Sequence, residues 1–278
     1  KDTTTNHILP FVVCVIPNLV PVVWNSDERR TTGKENQREG TDAMPKLAAN
    51  FSLMFQEVPM MERFALAARL GFRGAEIQNP YGHTSGDIGR VYREHELEAV
   101  LFNVPTAVGA LPGHEANFES GFLRALEYCT EAGCRQIHCL AGQTNDERAE
   151  EVFVANLQQA STEARRLGVR LLVEPLNTRD NPGYFLTSST QARRIIDLVG
   201  QDNLFLQYDI YHMQIMEGCL AETIKANLDI IGHIQIAGVP GRHEPNERQE
   251  INYPYLLDLL DQAGYTRWVA CEYRPHGD

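Results

Sequence analysis

The sequence has six cysteines, Cys14, Cys129, Cys134, Cys139, Cys219 and Cys271, but no Cys-x-x-Cys pair. Without thiols at metal-ligand or redox spacing, a zinc ribbon and a thioredoxin-type motif are excluded. Scattered single cysteines read as reduced core thiols of a cytosolic enzyme. Basic residues are scarce as well. Lys and Arg number 25 against 37 Asp and Glu, for a net charge of −12, and they gather into no stripe. Nucleic acid and anionic membrane surfaces both need a basic footprint, so neither is expected as a partner. A membrane span needs about 20 apolar residues. The apolar stretch Ile8–Trp24 is interrupted by Pro10, Pro17 and Pro21, which a spanning helix seldom carries. The basic n-region and small-residue cleavage site of a secretory signal are not evident. At the end of the first strand-like run stands Asn50-Phe-Ser-Leu-Met, not the Gly-rich phosphate turn of a doubly wound sheet.

What is present divides unequally. Residues 1–43 run polar, then apolar, then polar and charged without periodicity, and read as a disordered or non-native leader, with a targeting or membrane-associated segment as the alternative. From Met44 to Asp278 the pattern is regular, and its 235 or so residues form one domain. Short β-type runs (Lys46–Ser52, Gly74–Gln78, Ala99–Val104, Gln136–Ala141, Arg170–Leu176, Leu204–Tyr208, His233–Ala237, Trp268–Glu272) alternate with amphipathic helical patterns such as Met60–Leu70, Phe118–Ala132, Glu147–Leu167 and Ser189–Val199. Glycine stop signals close the helices at Leu70-Gly71, Ala132-Gly133, Leu167-Gly168, Val199-Gly200 and Ala263-Gly264. Eight such units predict an α/β fold, a (β/α)8 TIM barrel. The sequence stops just after the eighth strand, so the expected barrel lacks its last helix.

In such a barrel the C-terminal strand ends carry the chemistry. Four successive strands end on a polar residue that interrupts or closes an apolar run: Glu174, Asp209, Gln235 and Glu272. A single strand-end carboxylate is often only salt-bridged. Three carboxylates and an amide on one rim call for a shared counter-charge, because unpaired buried charge is costly. The donor set is all oxygen, which favours Mg²⁺ or Mn²⁺ over Zn²⁺. His212, expected in the loop after Asp209, reads either as a hydrogen-bond partner for a substrate oxygen or as a loop histidine without a role. Arg242, in the loop after the seventh strand, reads either as a bidentate clamp for a substrate carboxylate or as a solvated loop arginine. His138 reads as a core residue or as support behind the site.

The chain resembles the hydroxypyruvate isomerase family within the xylose isomerase-like barrels. The resemblance rests on Ala-Asn-Phe-Ser-Leu-Met-Phe (49–55), Glu-Pro-Leu-Asn (174–177), Gln-Tyr-Asp-Ile-Tyr-His-Met-Gln (207–214), Gly-His-Ile-Gln-Ile-Ala (232–237), Glu-Ile-Asn-Tyr-Pro-Tyr-Leu (250–256) and Cys-Glu-Tyr-Arg-Pro (271–275). It implies that Glu174 and Glu272 are the acid/base pair, and that they hold a divalent metal together with Asp209 and Gln235. The wider superfamily usually has His in place of Gln235. The segment 103–114 is shorter than the family's usual Gly-rich loop.

The implied reaction interconverts hydroxypyruvate and tartronate semialdehyde by proton transfer through an enediolate. One alternative is an isomerase of the four-carbon acid 2-oxo-tetronate, which the segments 44–50 and 236–245 also resemble. Another, of a different class, is a non-catalytic metal- or metabolite-binding barrel. DNA-repair endonucleases of the same superfamily need a His-rich multi-zinc site and a basic groove, and this sequence has neither. The expected partner is a small hydroxy or oxo acid. Nothing in the sequence demands or forbids a homo-oligomer.

Overall fold

The computed structural model describes residues 45–276. The leader expected over 1–43 lies outside them. Eight strands close into one parallel barrel in sequence order, β1 (Lys46–Asn50), β2 (Gly74–Ile77), β3 (Glu98–Asn103), β4 (Gln136–His138), β5 (Arg170–Val173), β6 (Leu204–Asp209), β7 (Ile231–Ile236) and β8 (Trp268–Cys271), with β8 pairing back onto β1. The helices are α1 (Met60–Arg69), α2 (Ser85–Glu94), α3 (Glu115–Ala132), α4 (Ala149–Arg166), α5 (Ser189–Val199), α6 (Ile210–Met216), α7 (Leu220–Asn227) and α8 (Tyr253–Gln262). The β6–β7 connection therefore carries two short helices, and the described residues after β8 run only to His276.

Local signals set the helix ends. The side chains of Thr84 and Ser188 cap α2 and α5 by accepting the backbone N–H groups of Asp87 and Gln191, both at 3.1 Å. All five glycines expected to stop helices have positive φ, from 65° at Gly168 to 90° at Gly71. A residue with a Cβ would be strained in that region, which is why glycine stands there.

Two apolar regions hold the barrel. The larger lies between strands and helices, where Phe51, Phe64 and Tyr92 meet edge to face with ring centroids 4.9 and 4.8 Å apart. The smaller fills the lumen with Ala48, Val100, Leu101, Leu172, Trp268 and Ala270, with Phe205 packed against them. Space for this plug comes from two glycines. A Cβ on Gly74 would lie 2.6 Å from Trp268 Cη2, and one on Gly232 would lie 2.6 Å from Phe205 Cβ. At the N-terminal mouth, Lys46 Nζ lies 5.2 Å from the centre of Trp268, and the Arg267 and Arg170 guanidiniums lie 4.9 and 6.0 Å from that of Phe205. The plug thus closes the lower end with aromatic rings under a cationic cover.

Candidate active site

Alternation along a strand puts residues i and i+2 on one face. On β6 this pairs Gln207 with Asp209, and on β7 it pairs His233 with Gln235. Register places Gln207 beside His233 and Asp209 beside Gln235. Asn50 ends β1 beside Glu76 of β2. Glu174 and Glu272 follow the last residues of β5 and β8. All eight are buried, with Glu174 the most exposed at 5%. Two polar tiers thus stand above the apolar plug.

The rim tier contains the four strand-end residues anticipated from sequence. Asp209 serves two elements at once. Its Oδ1 caps α6 by accepting the Tyr211 backbone N–H at 2.9 Å, and its Oδ2 accepts Arg242 Nη2 at 3.0 Å. Because of that cap the chain turns directly into a helix, so His212 lies in the first turn of α6 and not in a loop. Glu272 accepts Arg242 Nη2 on Oε2 at 2.7 Å and Gln78 Nε2 on Oε1.

Arg242 is placed by its backbone. It has φ 57°, in a turn closed by Gly238 N–H donating to His243 O at 2.8 Å, and its own carbonyl accepts Arg274 N–H at 2.8 Å. A non-glycine residue in this region costs roughly 1–3 kcal/mol and persists only where its surroundings impose it. The guanidinium also stacks over Tyr211 at 5.0 Å, and the Tyr211 hydroxyl donates to Asp180 Oδ2 at 2.7 Å. Arg242 is no solvated loop residue: its side chain is 17% exposed.

His212 has a defined tautomer. Its Nδ1 accepts the Asn177 backbone N–H at 3.1 Å and lies 2.7 Å from Asn177 Nδ2. Both are donors, so Nδ1 carries the lone pair and the neutral ring's proton sits on Nε2. Burial brings the imidazole down to about 4 despite the opposing Asp209 charge, which keeps it neutral. Nε2–H faces Asp209 Oδ2 at 3.5 Å and Glu174 Oε1 at 4.0 Å.

The lower tier was not anticipated. Glu76 accepts Asn50 Nδ2 at 2.6 Å and Gln235 Nε2 at 2.7 Å on Oε1, and its Oε2 lies 2.7 Å from His233 Nε2. Gln207 Nε2 bridges upward, donating to Gln235 Oε1 at 2.7 Å and to Glu174 Oε2 at 2.9 Å. The sequence signal for this tier is the inward i, i+2 spacing of Gln207/Asp209 and His233/Gln235. His138 is buried beneath the site, its ring 3.5 Å from Glu174 Oε2, and burial with the nearby His233 and His212 brings it down to about 3.

Charge is unbalanced at the rim. Glu174, Asp209 and Glu272 are buried with Arg242 as their cationic partner, and among the described residues Glu174 Oε1 has no hydrogen-bond donor. Burial, then the Glu272 and Asp209 charges, push Glu174 well above the ordinary carboxylate range. Burial raises Glu272 to about 8, with Arg242 opposing and Asp209 adding to the rise. Arg242 holds its proton more firmly than usual: burial opposes this, but Glu272, Asp209 and Glu174 outweigh it.

Single donor atoms of Glu174, Asp209 and His212 lie within 4.8 Å of one another, close enough to share an ion. The histidine's tautomer points its Nε2 proton at that space, so it suits a substrate oxygen better than a cation. The unsatisfied Glu174 oxygen and the excess of carboxylates fit a hard divalent cation on oxygen ligands.

The family described as Xylose isomerase-like TIM barrel matches residues 64–278. A 2-oxo-tetronate isomerase of Cupriavidus necator is 43% identical over 244 residues, spanning 84% of this chain and 94% of that protein. The hydroxypyruvate isomerase of Escherichia coli is 39% identical with the same two coverages. A solved Brucella melitensis structure named AP endonuclease, family 2, superposes with a TM-score of 0.82 at 42% identity, over 84% of this chain and 95% of that one.

Proposed function

The chain belongs to the xylose isomerase-like TIM-barrel family, and on that footing we propose that it is an isomerase interconverting hydroxypyruvate and tartronate semialdehyde. The observation that carries this reading is the convergence of two buried glutamates with raised proton affinity, Glu174 and Glu272, on one mouth beside a fixed guanidinium. Relatives at 39–43% identity bear the names hydroxypyruvate isomerase and 2-oxo-tetronate isomerase, which supports both the reaction type and the substrate class.

The residues divide the work between them. One of Glu174 and Glu272, ionised, takes the proton from the hydroxyl-bearing carbon. The electron pair left behind forms an enediolate with the neighbouring carbonyl carbon. The other glutamate, or the same one, returns a proton to that carbon, and the hydroxyl proton passes between the two oxygens, so nothing is gained or lost. General acid–base catalysis of this kind contributes about 10²–10⁴-fold. A hard cation, Mg²⁺ or Mn²⁺, held by Glu174, Asp209, Glu272 and the Gln235 carbonyl oxygen, supplies Lewis-acid polarisation of the carbonyl when bound. Arg242 offers its remaining N–H groups to the substrate carboxylate. His212 Nε2–H donates to a substrate oxygen.

A second reading, the 2-oxo-tetronate isomerase, is favoured by the 43% identity to the Cupriavidus protein. The acidic rim argues against a phosphodiester substrate, despite the endonuclease name of the Brucella protein, because a phosphodiester backbone needs basic contacts. No helix among the described residues is long and apolar enough to cross a membrane. Among the described residues no disulfide joins any of the five cysteines, in keeping with the reducing, cytosolic setting proposed for the enzyme.

The deciding experiment is a side-by-side assay of purified protein with hydroxypyruvate and with 2-oxo-tetronate, each with added Mg²⁺ or Mn²⁺. Turnover of hydroxypyruvate at the higher kcat/KM supports the main reading. A preference for the four-carbon acid replaces it with the second, and no turnover of either leaves a binding barrel.

A further inference from the structure

Glu76 takes no part in the proton transfer. It lies on the second strand, one tier below the rim, 1% exposed. Three nitrogen atoms converge on its two oxygens, from Asn50, Gln235 and His233. A carboxylate can only accept hydrogen bonds. The group of Gln235 that faces Glu76 must therefore be its NH₂. The flipped amide would set a carbonyl oxygen 2.7 Å from a carboxylate oxygen, and its NH₂ would then face the Gln207 NH₂. With Nε2 turned to Glu76, Oε1 is left to accept Gln207 Nε2, which reaches Glu174 as well.

We propose that Glu76 is a positioning residue that fixes the amide orientation of Gln235, so that a carbonyl oxygen and not an NH₂ group is presented to the cation site. The inference rests on the proposed reading of Gln235 as a ligand. It gives Gln235 the buried acceptor that metal-ligating histidines usually have behind them, where loss of the partner typically costs about 10–100-fold in metal affinity. An unoriented amide offers its donor face half the time, and a donor repels a cation. Gln207 then copies the orientation upward: its Nε2 reaches the oxygen that Gln235 presents and the Oε2 of Glu174 together, while Glu174 Oε1 has no donor among the described residues.

Mn²⁺ affinity, measured calorimetrically on the purified full chain, tests this with three variants. Gln235→Ala reports whether Gln235 holds the ion at all. Glu76→Gln keeps shape and volume but lets the Gln235 amide turn. Glu76→Gln combined with Gln235→Glu restores a donor–acceptor pair in reversed order, with a carboxylate oxygen now facing the cation. The expected results are a loss of about 10–100-fold for Gln235→Ala and for Glu76→Gln, with recovery to within about tenfold of wild type in the double variant. The unfolding temperature of the metal-free Glu76→Gln protein should move little, separating orientation from folding.

If Gln235→Ala weakens Mn²⁺ binding while a folded Glu76→Gln binds like wild type, the inference is overturned and the ligand reading stands. If neither variant changes affinity, both are overturned. Should Glu76→Gln fail to fold, the double variant decides alone: a folded double variant that binds Mn²⁺ like wild type supports the inference, and one that does not bind overturns it.

Discussion

Arg242 Nη2 lies 2.7 Å from Glu272 Oε2. A loop cation and a strand-end carboxylate, 30 residues apart, form one buried pair, and the same nitrogen reaches Asp209 at 3.0 Å. Removing the cation leaves two buried carboxylates uncompensated, which is costlier than losing an exposed pair. Arg242→Gln should lower the unfolding temperature of the metal-free protein by several degrees and raise KM for hydroxypyruvate at least tenfold. Arg242→Lys should recover stability better than KM, because an ammonium replaces the charge but not the planar fork. Thermal melts and steady-state kinetics check both, and an unchanged KM in Arg242→Gln refutes the substrate clamp.

Glu174→Gln and Glu272→Gln should each reduce turnover by about 10²–10⁴-fold or more while leaving the circular dichroism spectrum intact. More than a few per cent of wild-type activity in both would sink the acid/base assignment.

Chelation should stop turnover, and Mg²⁺ or Mn²⁺ should restore it. Full activity in protein verified metal-free by elemental analysis would count against any role for the cation.

The pH dependence of stability has a defined sign. Glu272 titrates near 8 in the folded protein against an ordinary value of 4.5. Between those limits the folded state holds a proton that the unfolded chain has released. Stability therefore falls as pH rises from about 4.5 to about 8, by up to ~1.4 kcal/mol per pH unit for each such proton, and levels off above. Glu174 moves in the same direction. Melting curves of metal-free protein should show this decline, and Glu272→Gln should make it shallower. A wild-type stability that rises over that range would contradict the assignment.

Gly74→Ala should cost about 1–3 kcal/mol of stability, the usual penalty for overpacking, because its Cβ would meet Trp268 at 2.6 Å. Denaturant unfolding reads this directly. A variant as stable as wild type would mean that the lumen plug is looser than its contacts imply.

The rim was legible in the sequence for a physical reason. Glu174, Asp209, Gln235 and Glu272 each break an apolar run, and apolar runs are how barrel strands declare themselves. Glu76 also sits between apolar neighbours, Ala75 and Ile77, but near the middle of its run, where an inward position beside the rim looks like any strand interior. Only register against the neighbouring strand, which pairs Asn50 with Glu76, sets its height in the barrel. The helical place of His212 is hidden in the sequence because Asp209 looks like a strand end alone, when its side chain also starts a helix. The role of Arg242 stayed open because its turn is closed by backbone bonds to His243 and Arg274, which no local residue pattern encodes.

The aromatic plug of Trp268 and Phe205 has a consequence for traffic. A barrel blocked at one end is a cup and not a tube. Among the described residues the plug closes the N-terminal end below the Glu174–Glu272 level, so the C-terminal mouth is the side from which ions and acids would enter. In such a cup a ligand seated deepest would enter before the one above it and leave after it.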